Sequence, residues 1–323
     1  MPATGAALAR KPIPRGETTT EATFRRGMGW LPDVPDFRDF NVNTETVRPA
    51  HAALSAKEPI KSMLKRMNIG APAAKLPTRV DDLEKYFSAV EDQGELNSCT
   101  ANAGVGIVEY FENRAFGRHI EASRLFLYKV TRNIIHETAD QGAYLRNTMG
   151  AMALFGLPPE EYWPYEVADV NEEPPAFCYA FAQNYQAIKY YRLDPAGTTT
   201  KELLQRIKTN LAAGLPSMFG FAVYSSFRQA ISTGEIPLPA DGESLKGGHA
   251  MVVVGYDDHK GIQNTNPGGP KTTGALRIRN SWGSGWGDNG YGWLPYDYVL
   301  LEGAEDFWSV LKSEWVDTGN FKI

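Results

Sequence analysis

The longest helical pattern in the chain begins at Cys99. Apolar side chains recur every three or four residues from Ala103 to Tyr110, and Gly117 follows the last turn. A glycine there is typical of a helix end, because it adopts the left-handed conformation without strain. The pattern therefore predicts a helix over residues 99–116.

The remaining patterns change character along the chain. The first half continues with helical spacing, and strand-like apolar runs dominate after residue 216. A helical part followed by a β-rich part predicts an α+β fold with two lobes. The further predicted helices are 122–135, 143–155 and 198–214, and the predicted strands are 217–224, 250–256, 275–282 and 291–299.

The N-terminal part lacks this regular patterning. Residues 29–40 (GWLPDVPDFRDF) contain two prolines that prevent a helix, so they predict an extended segment. Trp30, Phe37 and Phe40 are its expected anchors on a neighbouring surface. Residues 54–68 allow a short amphipathic helix.

Composition and charge divide the chain into a leader, residues 1–75, and a compact region, residues 76–323. The leader has 12 Lys and Arg against 7 Asp and Glu, whereas the rest has 21 against 31. We expect the helical lobe at about 95–185 and the β-rich lobe at about 186–310. The charge contrast favours docking of the leader on the compact region, although a solvated tail remains an equal alternative for its first 25 residues.

Several classes of protein are disfavoured. The net charge of −5 argues against nucleic-acid binding, and no apolar stretch approaches the length of a membrane span. The N-terminus lacks the apolar core of a secretory signal. With only Cys99 and Cys178, no disulfide framework is expected, although the two could pair. We expect a cytoplasmic protein.

Cys99 is the first candidate for chemistry. It falls in the first turn of the strongest predicted helix, where unpaired N–H groups and a partial positive charge favour a thiolate. The alternative is a small buried apolar residue, as free cysteines often are.

A second candidate pair is His249 and Asn280. His249 directly precedes the predicted strand 250–256, and Asn280 lies in the predicted strand 275–282. An antiparallel hairpin that pairs Val254 with Ala275 places the two residues opposite each other. The Asn280 carbonyl oxygen could then accept the Nδ1–H of His249 and direct the other ring nitrogen to a thiol. Taken singly, His249 is as easily a structural histidine and Asn280 a turn residue.

Gln93 lies six residues before Cys99 in a glycine-containing loop. Its side-chain N–H and the backbone N–H of Cys99 could form an oxyanion hole. The remaining histidines lack metal-ligand spacing, so we expect no metal. The glycines at 283–290 lack the lysine of a phosphate-binding loop, so we expect no nucleotide cofactor.

Three sequence blocks together resemble the papain-like cysteine peptidase family. QGELNSC (93–99) is similar to its cysteine block, GGHAMVVVGY (247–256) to its histidine block, and RNSWGSGWGDNGYGW (279–293) to its asparagine block. Their order agrees too, since His249 lies 150 residues after Cys99. The resemblance covers roughly residues 76–300.

This resemblance implies a two-lobed fold, with the cysteine on a central helix of the helical lobe and the histidine on the β-rich lobe. It implies peptide hydrolysis through an acyl-thioester on Cys99. His249 would be the general base and then acid, Asn280 its orienting partner, Gln93 the oxyanion donor, and Trp282 a shield of the His249–Asn280 hydrogen bond. The segment at 29–40 looks like a leader that precedes the catalytic domain in some bacterial relatives.

The chain departs from many members at Leu96, where a disulfide cysteine is usual, and at Thr100, where an aromatic residue is usual. These departures favour a disulfide-free bacterial-type branch. We expect a peptide or protein substrate and a leader that restrains activity. A non-catalytic peptide-binding module and an acyl or peptidyl transferase remain alternatives, and the sequence leaves the substrate-binding residues unassigned.

Overall fold

The computed structural model describes residues 26–41, 76–185 and 187–313. Its α-helices are α1 (Cys99–Phe116), α2 (Arg124–Ile134), α3 (Leu145–Leu154), α4 (Ala176–Ala182), α5 (Thr200–Ala212) and α6 (Tyr296–Leu300). Its strands are β1 (Arg79–Val80), β2 (Ala187–Arg192), β3 (Ser217–Tyr224), β4 (Leu245–Gln263), β5 (Lys271–Arg279), β6 (Tyr291–Pro295) and β7 (Ala304–Ser313).

The strands form one antiparallel sheet in the order β2-β7-β3-β4-β5-β6, and β1 pairs with β4. One apolar cluster joins one set of sheet side chains to α1, α2 and α3. A second cluster joins the alternate sheet side chains to α5 and α6. Since successive side chains of a strand point to opposite faces, the sheet divides two cores. The predicted two-lobed α+β fold is confirmed.

Helix α1 is buried on every side from Cys99 to Tyr110. It lies between the sheet and the other helices, so its burial is broader than the predicted stripe. At its end Gly117 has φ 68°, and its N–H donates to Asn113 O at 2.9 Å. The predicted bounds and the glycine terminator are therefore confirmed.

The second well-predicted helix is α5. Thr199 accepts a hydrogen bond from the Glu202 backbone N–H, while the Glu202 side chain accepts one from the Thr199 N–H. This reciprocal capping fixes the start of the helix. The other predicted helices, 122–135 and 143–155, are each slightly shorter at their ends, as α2 and α3.

The predicted pairing of β4 with β5 is wrong in register. Val253 pairs with Ile278 and Tyr256 with Leu276, with one register shift between these pairs, and Ala275 pairs with Asp257 rather than with Val254. Both strands also extend beyond their predicted bounds, since β4 continues to Gln263 and β5 begins at Lys271, and this leaves a turn at 264–270. The predicted strand 291–299 divides into β6 and α6, because Pro295 caps a helical turn.

The leader segment meets the compact region as expected at two of its three aromatic residues. Trp30 is 2% exposed and Phe40 packs edge-on against Tyr190. Phe37 is 96% exposed, so its predicted anchoring is wrong. The possible helix at 54–68 and residues 1–25 lie outside the described residues.

Candidate active site

Cys99 is the first residue of α1, and its sulfur lies against strand β4 at Ala250. The backbone N–H of Ala250 donates to Cys99 Sγ at 3.3 Å. Because Ala250 directly follows His249, this contact brings the imidazole-bearing residue beside the thiol. The helical and β-rich lobes therefore meet at the two residues that the sequence singled out.

His249 and Asn280 are in direct contact. Asn280 Oδ1 lies 2.8 Å from His249 Nε2 and also accepts the Ser281 backbone N–H at 2.8 Å. Since this oxygen accepts from Ser281, Nε2 of His249 is the protonated nitrogen. Asn280 was expected to contact Nδ1 of His249. This expectation is wrong, because the contact is with Nε2. Nδ1 is buried and has no hydrogen-bond partner among the described residues.

The indole of Trp282 covers this pair. Its ring is stacked on the His249 imidazole, with centroids 4.9 Å apart and planes tilted by 30°. Phe227 and Trp286 pack around Trp282 in turn. Trp282 therefore lies against the imidazole of this pair, and its role as a shield of the His249–Asn280 hydrogen bond stays a prediction.

Gln93 joins the loop before α1 to the asparagine block. Its Oε1 accepts from Ser281 Oγ at 2.5 Å, and its backbone N–H donates to Ser281 O at 2.8 Å. Its Nε2 donates to Leu96 O at 2.8 Å and to Gly27 O at 3.1 Å. The side-chain amide proposed as an oxyanion donor is therefore occupied by a leader carbonyl.

The same leader carbonyl has a second donor. Trp282 Nε1 donates to Gly27 O at 3.1 Å, and the Gly27 N–H donates to Gly94 O at 3.0 Å. A Cβ at Gly27 would lie 1.9 Å from the carbonyl oxygen of Leu96. Only glycine allows this close approach of the leader to the loop before α1.

Further along, the leader pairs by its backbone with both lobes. The N–H groups of Gly29 and Trp30 approach Gly248 O, at 3.2 and 3.1 Å. Ala143 donates to Gly29 O at 2.9 Å and accepts from the Leu31 N–H at 3.0 Å. The leader thus crosses the cleft between the two lobes and lies over the site.

Burial under this cover sets the charge state of the site. Gln93, Cys99 and His249 are 0% exposed and Asn280 is 2% exposed. Burial raises the pKa of the Cys99 thiol to about 12, against the lowering effect of the nearby backbone N–H groups. Burial also lowers the pKa of His249 to about 4, against the raising effect of Asn280. Both groups are therefore neutral at pH 7 in this state.

A group of possible metal ligands among the described residues lies away from this site, at Glu109, His119 and Glu121. The Glu109 carboxylate already accepts from Ser88 and from the Ala122 N–H. The His119 Nε2 is 2.7 Å from Glu121. Because these candidate atoms have protein partners, they give no reason to assign a metal site.

Sequence reasoning missed the residues through which the leader binds. Gly248 and Ala143 act through backbone groups, which every residue carries, so no residue type could signal them. Gly27 and Gly29 do carry a signal, since two glycines precede the anchor Trp30 in the run GMGW. Asp306 is buried beside the Trp30 indole. Asp306 is the second of two adjacent acids in β7, so the sequence offered no signal that distinguishes it from Glu305.

The chain belongs to the papain family. The model of the family described as "Papain family cysteine protease" matches residues 76–299. A peptidase C1-like protein of Acanthamoeba polyphaga mimivirus is 32% identical over 90% of this chain and 88% of its own length. Cathepsin K of Gallus gallus is 28% identical over 68% of this chain and 59% of its own.

Solved structures agree. Xylellain, a cysteine protease from Xylella fastidiosa, is 32% identical with a TM-score of 0.66, covering 88% of this chain and 96% of its own. The protein is therefore a cysteine peptidase, a hydrolase of peptide bonds. The expected disulfide-free, bacterial-type branch is confirmed, since Cys99 and Cys178 are both free. No helix among the described residues has the length and apolar character needed to cross a bilayer.

Proposed function

We propose that Cys99 is the nucleophile of this peptidase and His249 its acid and base. The observation that carries the proposal is the His249 Nε2 contact with Asn280 at 2.8 Å, which leaves Nδ1 as the ring nitrogen that can accept the thiol proton. Asn280 holds the imidazole in that tautomer, and Trp282 keeps water from their hydrogen bond.

The reaction follows from these positions. Nδ1 takes the thiol proton as Sγ attacks the peptide carbonyl carbon, and the carbonyl oxygen becomes an oxyanion. Gln93 Nε2 and the Cys99 N–H donate to that oxygen. The imidazolium then protonates the leaving amine, which yields a thioester. His249 next removes a proton from water, and hydrolysis of the thioester releases the acid and restores the thiol.

We also propose that residues 1–75 form a restraining leader and residues 76–323 the catalytic domain. Within the latter, the helical lobe spans about 95–185 and the β-rich lobe about 186–310. The occupied Gln93 amide and the complete burial of Cys99 support the restraint, because a substrate needs both groups. The leader is thus an internal partner that competes with the substrate peptide.

Electrostatic anchors support docking of the leader outside the cleft. Arg146 of α3 donates through Nε to Asp39 at 2.6 Å and through Nη2 to Val34 O at 2.7 Å, and it also pairs with Asp33. Arg26 pairs with Asp92 at the other end of the segment. These contacts fix both ends of the leader segment that crosses the site.

A cytoplasmic location is a further proposal. It is supported by the two unpaired cysteines, both buried, which fit a reducing compartment.

The decisive experiment is to map an epoxide-type thiol inactivator on the full chain carrying Gly27→Ala, which displaces the leader, and on the same chain with Cys99→Ala added, while peptide cleavage is followed. We expect one adduct, at Cys99, and loss of cleavage in the variant. A Cys178→Ala variant is the matched control and should keep both. Labelling confined to Cys178, with cleavage retained in Cys99→Ala, would overturn the assignment.

A further inference from the structure

The leader inserts one large side chain into the cleft, the indole of Trp30. Its ring lies directly on the backbone of Gly220 in β3, where an added Cβ would fall 1.9 Å from Cε2 of the ring. Trp30 is 2% exposed and packs with Ala143 and Met218. The cleft therefore contains a flat slot whose floor must be glycine to admit an indole.

The far end of the slot carries one hydrogen-bond acceptor. Trp30 Nε1 donates to Asp306 Oδ2 at 3.2 Å. The other oxygen, Oδ1, accepts from Trp308 Nε1 at 2.7 Å and lies 3.0 Å from Nη1 of Arg192. Arg192 also pairs with Asp194 at 3.1 Å and with Asp39 at 3.7 Å, so its charge is shared among three carboxylates. The group that the slot holds in this structure is the neutral N–H of an indole.

The backbone is distorted to place this acceptor. Met218 pairs with Trp308 and Gly220 with Glu305, so two residues of β7 oppose one of β3. Asp306 lies in this bulge with φ 64°, a conformation uncommon for residues other than glycine. Bulges that re-aim a side chain occur next to active sites, and such strain persists where it serves a function.

The slot lies beside the proposed nucleophile. The Trp30 backbone N–H is close enough to Cys99 to be among the groups that lower its thiol pKa. The same N–H bonds to Gly248, the residue before His249. A side chain in the slot therefore belongs to a peptide residue near the bond that is cut.

We propose that this slot selects the substrate: once the leader leaves, it takes a tryptophan side chain, with Gly220 and Asp306 as the specificity-determining residues. The inference rests on the proposed function, since it assumes that substrate enters the cleft that Trp30 occupies. A phenylalanine would leave the Asp306 acceptor unpaired, and sites built to hydrogen-bond a group strongly reject analogues that lack it. A preference for tryptophan over phenylalanine of roughly tenfold or more is expected.

The test uses the full chain carrying Gly27→Ala and Trp30→Ala, which removes the leader's contacts with Gln93 and with the slot. A peptide library varied one position at a time is cleaved, and kcat/KM is measured at each position. We expect tryptophan to be preferred at one position. Adding Gly220→Ala should abolish that preference and leave peptides with small residues there still cleaved, whereas the control Gly150→Ala, with open space around its Cβ, should preserve it.

Two failures are distinguishable, with thiol labelling of Cys99 and thermal denaturation recorded for each variant. If Cys99 reacts and peptides are cut without a tryptophan preference, or with a preference for arginine or lysine, the slot inference is overturned and the peptidase assignment stands. A preference that survives Gly220→Ala in a folded variant also overturns it. If Cys99 is inert and nothing is cut, the proposed function fails, and the slot inference fails with it.

Discussion

The side-chain amide of Gln93 donates a hydrogen bond to the backbone carbonyl of Gly27, at 3.1 Å. A leader carbonyl thus occupies the donor that we assign to the oxyanion of the reaction. Inhibition and catalysis compete for one N–H group, so any change that displaces Gly27 should expose both the donor and Cys99.

The first prediction concerns Gly27→Ala. The new Cβ would lie 1.9 Å from the Leu96 carbonyl oxygen, so the leader must move out of this position. Losing the hydrogen bonds to Gln93 and Trp282 weakens docking of the leader on the compact region by about 1 to 3 kcal/mol. We expect peptidase activity of the full chain to rise about tenfold or more, measured as kcat/KM on a peptide substrate.

The matched control for this change is Gly150→Ala, on α3, where a Cβ meets nothing within 4 Å. It should leave the activity of the full chain unchanged. Equal activity of Gly27→Ala and the unsubstituted chain would contradict the restraint that we propose.

A second prediction concerns the anchor outside the cleft. Arg146→Ala removes the ion pairs of Arg146 with Asp33 and Asp39 without touching the proposed catalytic residues, although Asp39 keeps Arg192 at 3.7 Å. Charged hydrogen bonds contribute about 1.5 to 3 kcal/mol each, so leader docking should weaken by tenfold or more. The rate of Cys99 labelling in the full chain should rise by the same factor.

The control is Arg38→Ala, because Arg38 is 62% exposed and its ion pair with Asp36 lies within the leader. Exposed pairs contribute little, so its labelling rate should match that of the unsubstituted chain. A larger effect of Arg38→Ala than of Arg146→Ala would show that the anchor is wrongly identified.

The elements that the sequence predicted well are those with local signals. Helix α1 has an apolar repeat and ends at Gly117, and α5 begins at the reciprocal cap of Thr199 and Glu202. Cys99 at a helix start and His249 at the head of an apolar strand were likewise local features. The contact between His249 and Asn280 was also expected, although the strand register from which we inferred it is wrong.

The features that could not be predicted depend on distant parts of the chain. The bulges between β4 and β5 shift the register of the two strands. The contact of Asn280 with Nε2 of His249 rather than Nδ1 depends on how the imidazole is oriented by the residues packed around it, such as Trp282. The bulge that turns Asp306 toward Trp30 depends on how β7 pairs with β3. A bulge arises from the pairing of two strands, and neither strand alone carries its signature.

The third prediction concerns pH. Burial lowers the pKa of His249 from 6.5 to about 4 in the leader-covered state. The covered state therefore binds fewer protons than a state with the imidazole in water. The contribution of His249 to the stability of the covered state is fully present above pH 6.5 and is lost as pH falls through 4. Acidification over this window should favour opening, by at most roughly 3 kcal/mol. Hydrogen exchange of the Gly29 and Trp30 amides, corrected for intrinsic rate, measures it.

A His249→Gln variant is the control for this pH effect, because it lacks the titrating ring. Burial raises the pKa of Asp306, to about 7, so its protonation favours the covered state and cannot explain opening on acidification. Exchange that accelerates equally on acidification in both proteins would assign the effect to a carboxyl whose pKa is lowered in the covered state, such as Asp92 beside Arg26, and refute the role of His249.

The fourth prediction separates a positioning role of Asn280 from a merely structural one. Asn280→Ala removes the acceptor of the His249 Nε2–H, so the imidazole loses its fixed tautomer. We expect kcat to fall by about 10²-fold, within the range that acid–base catalysis contributes. Asn280→Asp keeps an acceptor oxygen and should recover part of the rate with an altered pH profile. Folded Asn280→Ala protein with unchanged kcat would contradict the role.

The last prediction concerns stability, at a carboxyl group outside the site. Burial raises the pKa of Glu109 from 4.5 to about 7, against the lowering effect of its bonds from Ser88 and Ala122. A raised pKa means that the folded state holds the proton more tightly. The contribution of Glu109 to the stability of the folded state is therefore fully present below pH 4.5 and is lost as pH rises through 7. Glu109→Gln should therefore raise stability at pH 8, by up to roughly 3 kcal/mol, and change little at pH 4. Thermal denaturation at both pH values measures this, with exposed Glu161→Gln as the control. A stability change that is equal at the two pH values would mean that Glu109 is ionised when buried, with its charge balanced by neighbours such as Arg279.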